Sequence, residues 1–161
     1  MLMSLLLMSA TAAVPQGTTR HALSEPKAQV DAKLSKAVEE TVGQIPWAFR
    51  GIARPKIAPL ATACPAYRFH IEGPSFEVQC DGKDPVKIDV GGTFNWTSPE
   101  GDPFVGTLTK AADTYTLNFA GGSGSKRFIY NFGGSALVVT QEIRSPRLTA
   151  PMRWSLNYAR E

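Results

Sequence analysis

The sequence has little of what enzymes use for nucleophilic or metal chemistry: two cysteines and two histidines in 161 residues. His21, Cys64, His70 and Cys80 are spaced unlike any common zinc motif, so no metal centre is expected. No apolar run approaches the roughly 20 residues that a membrane-spanning helix needs. The glycine-rich Gly121–Arg127 stretch lacks the four-residue interval before Gly-Lys of a phosphate loop, and strand-like sequence follows it. Asp81-Gly82-Lys83-Asp84 lacks the ligand run of a calcium loop. Acidic charge is missing altogether from Thr41 to Ile71, where only Arg50, Arg54, Lys56 and Arg68 are charged. The balance turns acidic from Glu72 to Asp113 and basic again beyond, to a formal net charge of +3. That mild charge on an exported chain argues against nucleic acid as a partner.

Catalysis finds no assembled group. His21 sits in a stretch without periodicity. His70 alternates out of phase with Phe69 and Ile71 and is expected to face solvent. Asp81, Asp84, Glu100 and Asp102 lie in predicted turns, where acidic residues serve local geometry. The reading is therefore non-enzymatic, without cofactor.

Residues 1–13, MLMSLLLMSATAA, read as a signal peptide with cleavage after Ala12 or Ala13. The protein is then exported, to a periplasm or the extracellular space. Two cysteines sixteen apart in an exported chain read as one disulfide, Cys64–Cys80, contributing about 3 kcal/mol in the chain-entropy model. Regular hairpin pairing puts Tyr67 rather than Cys64 opposite Cys80, so Pro65 must bend the chain back.

Residues 14–65 read as an N-terminal region. A flexible stretch to Leu23 is followed by an amphipathic helix over 25–45, with Ser24 as its cap. Its apolar face is Val30, Leu34, Val38 and Val42. The proline-rich stretch 46–65 reads as an extended connector. Its Trp47, Phe49 and Ile52 are expected to anchor it, either on the main domain or at a membrane interface.

From residue 66 to 161 the apolar period becomes two, broken by turn sequences such as Glu72-Gly73-Pro74-Ser75, Gly91-Gly92 and Gly133-Gly134. About nine short antiparallel strands follow one another. The fold class is mainly β: an up-and-down meander closing into a small barrel, preceded by one helix. A two-sheet sandwich is the alternative.

The stretch 114–140, TYTLNFAGGSGSKRFIYNFGGSALVVT, with the closing strand MRWSLNYA, resembles the later hairpins of small bacterial lipocalin-like, calycin-type barrels over roughly residues 76–159. The resemblance implies an internal cavity or a closed core. A fainter similarity joins Cys80-Asp81-Gly82-Lys83 and Gly124–Phe128 to periplasmic lysozyme inhibitors. That similarity implies an inhibitory loop carrying Ser123 or Ser125 with Lys126 or Arg127.

The sequence thus predicts an exported binding protein for a small apolar or anionic amphipathic ligand. A protein-interaction or inhibitor module acting through its loops is the alternative. Candidate ligand-binding residues are Phe94, Trp96, Tyr115, Phe128, Tyr130 and Trp154, with Arg147 and Arg153 as a basic rim. Arg144, Lys126 and Arg127 are expected to join that rim, or else to pair with Glu142 and the acidic turns.

Overall fold

The computed structural model describes residues 14–161; the signal-peptide reading of 1–13 lies outside the described residues. Ten antiparallel strands make one sheet: β1 (Gly17–Leu23), β2 (Ala66–Glu72), β3 (Ser75–Cys80), β4 (Val86–Asp89), β5 (Thr93–Thr97), β6 (Pro103–Ala111), β7 (Thr114–Gly121), β8 (Gly124–Asn131), β9 (Leu137–Arg144) and β10 (Met152–Arg160). Their order is β4-β3-β2-β1-β10-β9-β8-β7-β6-β5. The sheet therefore curls until β4 and β5 face each other across a seam. One backbone bond spans it near the closed end, from Gly91 N–H to the Leu108 carbonyl at 2.8 Å.

The mainly β barrel matches the sequence reading, and the period-two segments fall in register. Tyr67, Phe69 and Ile71 of β2 face inward and are buried, as are Phe76 and Val78 of β3 and Trp154, Leu156 and Tyr158 of β10.

The N-terminal region differs. Residues 17–23 are not a flexible tail but a barrel strand, paired with β2 through His21↔Tyr67 and with β10 through His21↔Arg160. Its inward residues include Thr19 and His21, so hydropathy alone does not mark it as a strand. The barrel therefore begins at β1, ahead of the boundary at 66, and the helices lie between β1 and β2 rather than before the barrel.

Helix α1 (Lys27–Gly43) buries Val30, Ala37, Val38, Thr41 and Val42, while Leu34 is only partly covered. Pro26, not Ser24, occupies its N-cap. The Ser24 hydroxyl instead donates to the Asn157 carbonyl at 3.0 Å, and the Glu25 carboxylate accepts the Asn157 N–H at 2.7 Å. Both bonds fasten the start of the helix to β10.

The connector is helical rather than extended: a 3-10 turn at Trp47–Phe49, helix α2 (Arg50–Ile57) and a second 3-10 turn at Ala58–Leu60. Of its four prolines, Pro46 and Pro59 stand where a helical turn begins, and there the missing N–H has no partner to lose, while Pro55 lies inside α2. Trp47, Phe49 and Ile52 do not anchor on the barrel: they are 83%, 60% and 64% exposed.

Candidate functional site

The two ends of the barrel are built differently. The lower half is filled by its own aromatic side chains. Phe76 stacks on Tyr115 at 4.7 Å between ring centres, and Phe69 meets Phe132 edge-on at 5.1 Å. His21 packs edge-on against both Phe69 and Phe132. Ile71 and Leu108 complete this fully buried layer.

The upper half encloses a cavity of about 1070 Å³. Tyr67 and Tyr130 form its floor, with ring centres 5.6 Å apart, and burial pushes both phenols above the ordinary tyrosine range. Val78, Leu117, Phe119 and Phe128 supply apolar wall, and Trp96 and Phe104 stand near the mouth, 5.5 Å apart.

The segment after α2 crosses the top. It is held there by two inward side chains that share the Thr62 carbonyl: Trp154 Nε1 donates to it at 3.0 Å and Gln141 Nε2 at 3.3 Å. The Cys64–Cys80 disulfide pins the same segment to the end of β3, with its Cα atoms 5.8 Å apart. Tyr67 does pair with Cys80 in the ladder, as the sequence implied.

Three of the candidate ligand residues, Trp96, Phe128 and Tyr130, line the cavity. Tyr115 belongs to the filled lower core. Trp154 is buried inside the barrel, where it braces the Thr62 segment without lining the cavity. Phe94 packs edge-on against Phe119, and its ring lies where a Cβ on Gly106 would sit, 2.1 Å away, so the glycine makes room for it.

Arg153 points out of the barrel. Its guanidinium lies 2.6 Å from Glu142, whose side chain is only 4% exposed, and Arg127 and Arg144 approach the same carboxylate at 3.6 and 3.7 Å. These arginines follow the self-pairing alternative. Arg147 stands in the exposed β9–β10 loop, away from the cavity.

Sequence reasoning did not assign Gln141, which the period-two pattern nevertheless aims inward beside Val139. It treated Lys126 only as a rim or loop residue, yet Lys126 shares the inward phase of Phe128 and Tyr130. Its ammonium lies over the Phe128 ring at 4.9 Å.

His70 lies at the surface, as expected, with Thr18 Oγ1 2.8 Å from its Nδ1. Among the described residues no cluster of three or more histidine, cysteine or acidic side chains is poised to hold a metal, and no helix is long and apolar enough to cross a membrane.

A helix-capped, ten-stranded, nearly closed barrel with one upper cavity defines a calycin-type, lipocalin-like fold. The solved structures it is similar to include fatty-acid-binding proteins, not the small bacterial lipocalins that the sequence resemblance suggested. The fatty acid binding protein of Schistosoma mansoni, solved with arachidonic acid, superposes with a TM-score of 0.52 at 16% identity, over 94% of this chain and 98% of that one. The REP1-NXSQ fatty acid transporter gives 0.52 at 16% identity, over 91% and 95%. The fatty-acid-binding protein of Manduca sexta gives 0.51 at 20% identity, over 90% and 99%. No protein-family model and no curated protein matches the chain in sequence.

Proposed function

We propose that this chain is an exported, non-enzymatic binding protein that carries a small apolar or amphipathic ligand, of the size of a fatty acid, inside its barrel. The observation that carries the reading is the cavity of about 1070 Å³ walled by aromatic and aliphatic side chains. Ligand sites are typically concave, mostly apolar and roughly 300–1000 Å³, and a self-filled barrel would offer no such space. The shared fold with a protein solved around arachidonic acid supports the same reading.

Native mass spectrometry of delipidated protein mixed with arachidonate tests it. A one-to-one adduct that disappears on denaturation is expected. No adduct with arachidonate, with shorter fatty acids or with their alcohols would sink the proposal. Export is tested separately, by sequencing the N-terminus of the mature chain; a start at Ala13 or Val14 supports it, and retention of Met1 refutes it.

The exposure of Trp47, Phe49 and Ile52 favours a second activity of the helical cap, contact with an anionic membrane surface. Arg50, Arg54 and Lys56 share this segment, which itself contains no acidic residue; Arg54 pairs with Glu39 of α1, leaving Arg50 and Lys56 without an ion pair among the described residues. Co-sedimentation with phosphatidylglycerol vesicles should fall when Trp47 and Phe49 are both changed to alanine; undiminished binding refutes it.

A further inference from the structure

The cavity treats its two ends unequally. Three cations line it, Lys83, Lys126 and Arg144, and all three stand at the mouth. Lys83 lies in the β3–β4 turn, Lys126 near the start of β8, and Arg144 at the end of β9 beside Ser125. Arg144 is already drawn to Glu142. Lys126 forms no ion pair among the described residues; its ammonium lies over the face of Phe128.

Acidic residues also line the mouth, but on the seam side. Asp81 is held by Arg20 at 2.7 Å, and Asp84 and Glu100 lie in the β3–β4 and β5–β6 turns. Burial, helped by nearby Lys83, pulls the Lys126 ammonium below the ordinary lysine range. A partly desolvated cation facing an apolar cavity gains most from an anion that arrives with an apolar tail.

The deep end offers the opposite. No cation lines it: its tyrosines are held neutral by burial, and Gln141, level with Phe128 between floor and mouth, presents a buried Oε1 with no hydrogen-bond partner. The floor thus offers a carboxylate no positive charge, and the Gln141 acceptor above it disfavours one.

We propose that Lys126 is the anion-recognition residue of this cavity, and that an anionic amphiphile binds head-out, its charged group against Lys126 at the mouth and its tail toward Tyr67 and Tyr130. Lys83 flanks the charged group. This inference rests on the lipid-binding reading above and adds to it a ligand charge, an orientation and a specificity residue.

The test pairs two ligands of equal tail, palmitate and 1-hexadecanol, on the full mature chain, with affinities read by displacement of a fluorescent probe. Wild type should prefer palmitate by roughly tenfold or more, the worth of one charge-assisted bond. Lys126→Met should lose that preference while keeping its affinity for hexadecanol, and Lys126→Arg should restore it. Arg147→Glu should change neither. In wild type, the carboxyl resonance of carboxyl-labelled bound palmitate should titrate with solvent pH.

Binding of both ligands without a palmitate preference, or a preference that survives in Lys126→Met, overturns this inference and leaves lipid binding standing. A carboxyl resonance insensitive to pH places the head at the floor and overturns it equally. Failure of both ligands to bind wild type overturns the inference together with the reading beneath it.

Discussion

The Tyr158 hydroxyl donates a 2.8 Å hydrogen bond to the Cys64 carbonyl, so an inward residue of β10 holds the segment that carries the disulfide. Both groups are buried. Tyr158→Phe leaves the ring in place and the carbonyl without its donor, which should cost about 1–3 kcal/mol. Urea denaturation of the two proteins reads the difference; equal midpoints would mean that the bond contributes nothing.

Closure of the Cys64–Cys80 link contributes by restricting the unfolded chain. Replacing both cysteines with alanine should lower stability by about 2–4 kcal/mol. Thiol titration of unreduced, denatured wild type should find no free thiol.

The buried face of α1 is centred on Val38 and Val42 rather than on Leu34. Val42→Ala, at a site only 1% exposed, should cost roughly 1–3 kcal/mol, and Leu34→Ala less. Chemical denaturation ranks the pair, and a larger loss at Leu34 would contradict the packing.

His21 gives the fold a pH dependence. Burial, with Arg160 nearby, lowers its pKa from the ordinary 6.5, so the folded protein holds it neutral while the unfolded chain protonates it more readily. Its contribution is at full strength above the unfolded value, declines as pH falls below about 6.5, and levels off beneath the depressed folded value. Denaturation midpoints of wild type should therefore drop between pH 7.5 and 5 more steeply than those of His21→Phe. Parallel curves for the two would show that His21 does not titrate differently on folding.

How much of this was legible in the sequence depended on whether polarity tracked direction. Phe69, Phe76, Leu117 and Leu156 alternate with polar neighbours and face inward as read. β1 escaped because Thr19 and His21 carry its inward face, and a polar inward residue looks like loop. α2 escaped because Pro55 stands inside it, where proline ordinarily breaks a helix. The arginines near the C-terminus were legible as a group, but their common partner Glu142 was one choice among several carboxylates, which pairing alone could decide. Lys126 was legible by phase from Phe128 and Tyr130; its charge drew attention to the loop instead.

The pairing of β1 with β10 also governs how the chain reaches this structure during synthesis. β1 is made before the other nine strands, and β10, which pairs with its last three residues, His21, Ala22 and Leu23, is made after them. Until Arg160 can come to rest beside His21, the early strand has an open edge and the sheet cannot become continuous. Such distant pairings make folding slow and leave strand edges exposed meanwhile. The barrel is thus completed only after translation of β10, and a chain truncated within that strand would lose the link between its two halves rather than a peripheral tail.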